Sequence, residues 1–275
     1  MPELPEVETI RRDLEAKIGG KRFTSVRIPP DTGKPVPVLK GIDEADFREG
    51  VVGARVEGVS RRGKFIVIHL DTGAHLVVHL RMTGALLHRH PDAEPDKYVR
   101  AILSLDDGME LRFSDLRKFG GLWLLESAED ISRGLGPEPL EEGFTEDVLA
   151  EALKGRKAPV KSIILDQRRI AGIGNIYADE ALFASGIEPR RLGLDLSPDE
   201  IGRLHRSIRS VLLAGVESRG ASFSDYRDAD GNSGRMQMHV QVFRRTGKPC
   251  YRCGTPIGRT KVGGRSTHFC PHCQT

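Results

Sequence analysis

The sequence predicts an α+β fold: a β-rich N-terminal half led by one helix, then a helical region, then a short cysteine-bearing β-ribbon. Three observations predict it. Short turn-bounded apolar runs fill residues 23–125, helix-period apolar patterns fill 145–213, and all four cysteines fall in the last 26 residues as two Cys-x-x-Cys pairs.

The chain opens Met1-Pro2-Glu3-Leu4-Pro5-Glu6-Val7-Glu8-Thr9. Pro5 suits the first turn of a helix, where its missing N–H costs nothing. Val7, Ile10, Leu14 and Ile18 continue at helical spacing as one apolar stripe. Seven strand-like runs follow, at Phe23–Ile28, Val51–Ser60, Phe65–Leu70, His75–His79, Ala101–Leu105, Leu111–Ser114 and Leu122–Leu125. Phe65, Val67 and His69 alternate with Ile66, Ile68 and Leu70. Many short strands punctuated by Gly, Asp and Pro imply a sandwich or a barrel. Lys40–Arg48 reads as a short helix between strands. From Ser127 to Gly143 the chain is acidic and carries Gly134, Gly136, Pro137 and Pro139, which reads as an interdomain linker. Helical patterns then run over Thr145–Lys154, Val160–Gln167, Asn175–Ala184 and Ser197–Leu213, with Thr145 and Ser197 as N-caps. Ser218–Gly234 is long and polar; ordered domains rarely keep such a loop without a use, and a lid is one. The expected domains are residues 1–130, a linker at 131–143, residues 144–234, and the ribbon at 235–275.

The 275 residues are 38% hydrophobic, enough for packed cores in two ordinary domains. No run of 18 apolar residues predicts a membrane span, and the acidic start lacks the apolar region of a signal peptide. Charge is uneven. Residues 126–151 hold nine acidic side chains against the single Arg133, whereas from Arg235 onward there are eight Lys/Arg and no Asp or Glu. Such asymmetry points to nucleic acid at the basic end.

Several residues carry chemistry of their own. With Met1 removed, Pro2 is a free secondary amine, and an α-amino group titrates near 7.7–8.0, about two and a half units below lysine. Attack on an aldehyde-level carbon gives a charged iminium, an electron sink for covalent catalysis. Glu3 beside it can donate or accept a proton. Cys250, Cys253, Cys270 and Cys273, with sixteen residues between the pairs, match a four-thiolate structural zinc site in a reducing compartment. A redox role and His272 in place of Cys273 are the alternatives. Val262-Gly263-Gly264-Arg265 reads as a hairpin tip that presents Arg265. Gly172-Ile173-Gly174-Asn175 lies between two helical patterns, where glycines allow close backbone approach and Asn175 would cap a helix suited to phosphate. Met82 and Phe119 can enter a base stack, and Arg117 can pair with an orphaned base. Arg156 and Lys161 are further backbone-contact candidates.

The words Pro-Glu-Leu-Pro-Glu-Val-Glu-Thr resemble the N-terminus of the bacterial formamidopyrimidine-DNA glycosylase and endonuclease VIII family, and the resemblance extends from Pro2 to Gln274. It implies an N-terminal β-sandwich, a helix-two-turn-helix domain built on Gly172–Tyr177, and a C-terminal zinc β-ribbon. It implies a bifunctional glycosylase/AP lyase that excises oxidised purines (8-oxoguanine, formamidopyrimidines) through a Schiff base on Pro2, followed by β,δ-elimination. Glu3 is the implied acid/base group, with Glu6 orienting the amine. Lys64, in Arg-Arg-Gly-Lys-Phe, takes the role of a lysine that contacts phosphate beside the lesion. Met82, Arg117 and Phe119 fill the gap left by the extruded base. Arg156 and Asn175 contact the DNA backbone, Arg265 assists the second elimination, and the 218–234 loop covers the lesion. One structural Zn2+, damaged double-stranded DNA, a monomer and a bacterial cytosolic location belong to the same implication. One departure stands out: where the family usually has a DNA-contacting histidine, this chain reads Pro95-Asp96-Lys97-Tyr98, and Lys97 is left to supply the charge. The endonuclease VIII branch, which prefers oxidised pyrimidines, is the rival enzyme. Leu4 and the Met82/Arg117/Phe119 set favour the purine branch. A non-catalytic zinc-ribbon DNA-binding protein is the rival from another class, and it gives Pro2-Glu3 no task.

Overall fold

The computed structural model describes residues 1–30, 36–94, 96–127 and 129–275. Pro95, in the stretch without the family histidine, and Ala128, in the expected linker, lie outside the described residues. The chain divides into two compact units, residues 1–133 with 218–235, and residues 134–217 with 236–275.

The first unit begins with α1 (Leu4–Ile18). Its stripe of Val7, Ile10, Leu14 and Ile18 is buried to within 1% of full, and each such side chain contributes about 1.5–3 kcal/mol. Next come β1 (Phe23–Arg27), α2 (Glu44–Val51), β2 (Val56–Arg62), β3 (Phe65–Leu70), β4 (His75–His79), β5 (Gly84–Arg89), β6 (Val99–Leu105), β7 (Glu110–Asp115), β8 (Gly121–Leu125) and the single turn α3 (Glu129–Ser132). The strands form two four-stranded antiparallel sheets, ordered β1-β6-β7-β5 and β2-β3-β4-β8. Ile66, Ile68, Leu76 and Val78 of one sheet share a core with Val26, Leu103, Leu111 and Phe113 of the other, and the α1 stripe joins it. This is a sandwich, one of the two architectures the strand pattern allowed. The alternating outer face, Phe65, Val67, Val77, Trp123 and Leu125, collects a smaller apolar patch around Ile131.

Three details depart from the sequence reading. Val51 ends a helix rather than starting a strand. Asp43 caps that helix by accepting the Asp46 N–H at 2.9 Å, and Gly53 at φ 85° turns the chain into β2. Strand β5 went unread because Leu86 and Leu87 are both buried, which hides the period of two. Residues 218–234, expected with the helices, belong with Arg235 to the first unit. Tyr226 and Ala229 enter its core, the Ala229 carbonyl accepts the His88 N–H at 2.8 Å, and Arg219 bridges Asp13 and Asp228 at 2.6 Å each.

The second unit contains α4 (Glu146–Leu153), α5 (Val160–Leu165), α6 (Asn175–Ser185), α7 (Pro198–Glu217) and the hairpin β9 (Gly258–Val262) with β10 (Arg265–Phe269). Thr145 caps α4 through the Val148 N–H, and Ser197 and Glu200 cap α7 reciprocally. Gly263 and Gly264 both take positive φ, 54° and 76°, the requirement of a two-residue type I′ turn. Part of the expected linker is fixed structure: Gly136 donates to the Gln167 carbonyl, and Arg209 reaches the carbonyls of Pro139, Leu140 and Glu141. The acidic composition hid this because the bonds use backbone atoms. Among the described residues no helix is long and apolar enough to cross a membrane.

Candidate active site and nucleic-acid interface

Four of the residues singled out for catalysis are buried in the first unit. Pro2 is buried, as are Glu3 at 3%, Glu6 at 1% and Lys64 at 8% exposure. Glu3 is the N-cap of α1, and its side chain accepts the backbone N–H of Glu6 in a reciprocal capping box. Glu6 returns the bond, its Oε2 accepting the Glu3 N–H at 2.7 Å. Its other oxygen accepts the Ala221 N–H at 2.7 Å. The chain end is therefore held through one carboxylate to the 218–235 segment. Gly220 makes this approach possible: it sits at φ 81°, and a Cβ there would lie 2.8 Å from Glu6 Cγ. The Pro2 nitrogen is still in its peptide bond with Met1, whose side chain is half exposed.

Lys64 follows Gly63 in the β2–β3 turn. That hairpin lies against α1, where Arg61 Nε pairs with Glu8 Oε2 at 3.2 Å. The ammonium adds to the field at His79. Burial first, then the Arg81 and Lys64 charges, lower the His79 pKa to about 3. Its neutral ring accepts the Arg81 N–H on Nδ1 at 2.9 Å, so the proton resides on Nε2.

Met82, Arg117 and Phe119 come together at the surface of the same unit. Arg117 Nη1 lies 3.1 Å from Met82 Sδ, and the guanidinium lies 4.7 Å from the Phe119 ring centroid. Met82 and Phe119 are 41% and 52% exposed, two apolar side chains held together in solvent around one guanidinium. The residues just before them, Arg81 and Lys118, take left-handed backbone at φ 52° and 59°. Non-glycine residues held there store strain, and such strain clusters at functional loops.

Buried Asp115, to which the sequence reading gave no role, holds these loops. It accepts from Thr83 Oγ1 at 2.5 Å, from the Arg117 N–H at 3.1 Å and from the Gly120 N–H at 2.8 Å. Its own N–H donates to the Tyr98 carbonyl. Tyr98, half exposed and also left-handed at φ 62°, lines a cavity of about 230 Å³ with Thr83, Lys97, Asp115, Leu116 and Asp225. Lys97, the expected substitute for the missing histidine charge, thus faces the same hollow as Tyr98. Asp225 stands at the tip of the 218–235 segment. Ala221, Tyr226, Asp228 and Ala229 anchor the segment in the core, which leaves residues 222–225 and 230–233 as its outer stretches.

The second unit carries the rest. Asn175 is the first residue of α6 and not its cap, a position that Gly174 takes. Instead Asn175 Nδ2 donates to the Ser266 carbonyl at 2.9 Å, which leaves one of its two N–H groups for a ligand. Asn175 lines a cavity of about 480 Å³ with Phe243, Arg244, Thr246, Arg259 and Ser266. In the sequence Arg244 and Arg259 stand out only as two of the eight basic residues after position 234. Arg265 stands exposed at the hairpin turn, one residue before Ser266. Arg156 is exposed on the turn after α4; its backbone bonds run to Leu153 and Leu194 and do not join the hairpin.

The four cysteines converge. Their sulfurs lie within 4.8 Å of one another, with Cys253–Cys270 at 3.5 Å and Cys250–Cys273 at 4.0 Å. Tetrahedral zinc with bonds of about 2.3 Å requires sulfur separations of about 3.8 Å. Backbone N–H groups of Arg252 and Cys273 donate to Cys250 and Cys270 Sγ. Hydrogen bonds from Thr255 pull the Cys253 thiol down to about 6. Burial, then the neighbouring thiols, pushes Cys273 up to about 12. Four thiols this close cannot all ionise without a cation, and a divalent ion resolves the conflict.

Comparison with known proteins extends over both units. Residues 1–122 match the model of the formamidopyrimidine-DNA glycosylase N-terminal domain, residues 135–227 that of the formamidopyrimidine-DNA glycosylase H2TH domain, and residues 247–275 a zinc finger found in FPG and IleRS. The chain is 45% identical to the formamidopyrimidine-DNA glycosylase of Pelotomaculum thermopropionicum, covering 100% of this chain and 99% of that one. It is 48% identical to that of Symbiobacterium thermophilum, covering 100% and 89%. A Lactococcus lactis FPG mutant in complex with Fapy-dG containing DNA superposes with a TM-score of 0.90 at 35% identity, covering 100% of each chain. The MutM (FPG) protein of Thermus thermophilus superposes with a TM-score of 0.87 at 41% identity, covering 99% and 98%.

Proposed function

The chain belongs to the formamidopyrimidine-DNA glycosylase family and is a DNA glycosylase/AP lyase, and on that premise we propose that Pro2, freed by removal of Met1, is the nucleophile that excises oxidised purines from double-stranded DNA. The observation that carries this reading is the double grip of Glu6 on the Glu3 and Ala221 N–H groups, which fixes the residue next to the amine in a buried site.

The Pro2 lone pair forms the N–C1′ bond as the glycosidic bond breaks and the base leaves with a proton. Glu3 protonates the ring oxygen, the C1′–O4′ bond opens, and the iminium forms. That cation acidifies C2′–H. Loss of this proton expels the 3′ phosphate, and a second elimination expels the 5′ phosphate. Lys64 contacts the phosphate beside the lesion. Met82, Arg117 and Phe119 occupy the space of the extruded base, which suits the purine branch. Asn175, Arg156 and Arg265 contact the backbone, with Arg265 assisting the second elimination. One zinc, held by Cys250, Cys253, Cys270 and Cys273, stabilises the ribbon and supplies no step of the reaction. The enzyme works as a monomer in the bacterial cytosol.

Borohydride reduction on abasic duplex followed by peptide mapping tests the nucleophile. The adduct is expected on residue 2, weakened but present in Pro2→Gly, and absent from protein that retains Met1. An adduct on Lys64 in the unaltered protein overturns the assignment.

A further inference from the structure

Lys161 and Asp179 form an ion pair at 2.6 Å in which both side chains are 0% exposed. Lys161, expected from the sequence to contact the DNA backbone, is fully buried and bonded inside the protein, so it makes no such contact. Neither residue has a part in the proposed chemistry, and a buried charge pair is no cheap source of stability. What the pair touches gives it a purpose. Lys161, on α5, also donates from Nζ to the Ser266 carbonyl at 2.8 Å and to Thr267 Oγ1 at 2.9 Å. Asp179, on α6, accepts the His268 N–H on Oδ2 at 2.9 Å, with His268 Nδ1 at 3.0 Å from the same oxygen. The Ser266 carbonyl takes a second donor, Asn175 Nδ2. Three consecutive residues of β10 are thus gripped by two helices, beginning one residue after Arg265. The turn itself is seated as well: a Cβ on Gly263 would lie 2.7 Å from Ser162 Oγ of α5.

We propose that Lys161 and Asp179 are positioning residues that lock the tip of the zinc hairpin onto α5 and α6, so that Arg265 and Asn175 are presented to DNA as one rigid unit. Geometry supports this over a purely packing role. A hydrophobic pair could fill the same volume, but it could not hold a backbone carbonyl, a hydroxyl and an amide N–H at defined distances. The zinc site fixes the other end of β10 through Cys270, whereas the tip has no metal ligand of its own. The inference rests on the strand-handling role given to Arg265, and the test separates the two.

Asp179→Asn keeps the volume and removes the charge; Lys161→Met with Asp179→Leu removes both charges and guards against misfolding from a stranded ammonium. Both are compared with Arg265→Ala in the full-length, zinc-loaded enzyme. Asp179→Asn is expected to keep its zinc and to trap abasic DNA at Pro2 within about twofold, while the second elimination slows about tenfold, with no further loss in the Arg265→Ala background. The His268 amide is expected to exchange at least roughly tenfold faster, in the double apolar variant as well. Unchanged His268 exchange in both variants overturns the lock. Slowing by the same factor with and without Arg265 overturns the positioning role. If Arg265→Ala alone leaves the second elimination intact, the role given to Arg265 has failed, and His268 exchange still decides whether the lock exists.

Discussion

The carboxylate of Glu6 accepts the backbone N–H of Ala221 at 2.7 Å across 215 residues of sequence. Its other oxygen accepts from Glu3, so one side chain joins the start of the chain to the segment that follows α7. Glu6→Gln leaves one acceptor oxygen for two N–H donors. A charge-assisted bond to a buried amide contributes about 1.5–3 kcal/mol, so urea unfolding should show a loss of about 2 kcal/mol, and base excision should fall more than the stability loss explains. Gly220→Ala tests the same contact from the other side. The new Cβ meets Glu6 Cγ at 2.8 Å in left-handed backbone, so the variant should lose activity without any change in a charged group. Full activity in Gly220→Ala would remove the link between this grip and catalysis.

The sign of the pH dependence of stability follows from His79. Its folded pKa, about 3, lies below the ordinary value of 6.5 because of burial and then the Arg81 and Lys64 charges. Between these values the unfolded chain binds the proton and the folded chain does not. The stability contribution is therefore complete above pH 6.5 and is lost as pH falls toward 3, at up to about 1.4 kcal/mol per pH unit. His69 and His88 are also lowered by burial and act with the same sign. The diagnostic is thus the difference between the unaltered protein and His79→Gln, which can still accept the Arg81 N–H. Denaturant melts between pH 4.5 and 6.5 should show a shallower slope in the variant, by up to one proton; parallel slopes would mean that His79 is charged in the folded state.

Metal analysis should find about one zinc per chain, since the four sulfurs suit one tetrahedral ion. Cys250→Ser should lose it. The hairpin that bears Arg265 then loses its anchor, and duplex binding should weaken at least about tenfold, because structural zinc contributes folding energy directly. Pro2 lies in the other unit, so borohydride trapping at saturating DNA should survive. Full zinc occupancy with unchanged binding would refute the ligand set.

Much of this was legible in the sequence because its signals are local. Helix α1 follows from Pro5 and a clean 3–4 stripe, the cysteine site from two spacings, and the turn at Gly263-Gly264 from the two positive φ values it demands. What stayed hidden depends on partners far along the chain. Asp115 looks like any loop aspartate until Thr83, Arg117 and Gly120 converge on it. The polar composition of 218–234 reads as a long loop, and it gives no sign that Tyr226 and Ala229 are core residues of the first unit. Asn175 reads as a cap from its place before a helical pattern, but the chain enters α6 one residue earlier and frees its amide for Ser266.

The contact of Arg117 with both Met82 and Phe119 permits base extrusion and bond chemistry to be separated experimentally. None of the three side chains can supply a nucleophile or a proton at C1′. Their proposed work is to fill the gap left by the flipped nucleotide, whose unstacking and unpairing cost a few kcal/mol, less where the helix is already damaged. The strained loops fit this task. Arg81 and Lys118 at positive φ hold apolar side chains out in water, where hydrophobic burial alone would not keep them. Replacing Met82 and Phe119 together by alanine should therefore slow excision of a paired 8-oxoguanine far more than cleavage of an abasic site, where no base has to leave. Arg117→Ala should in addition flatten the preference for the opposite base, since a well-paired Arg fork discriminates by about 1–3 kcal/mol. Pro2 variants should fail on both substrates. Single-turnover cleavage of matched duplexes reads all of these. Equal losses on the two substrates in the Met82/Phe119 variant would make those side chains mere packing residues, and their exposure would then need another cause.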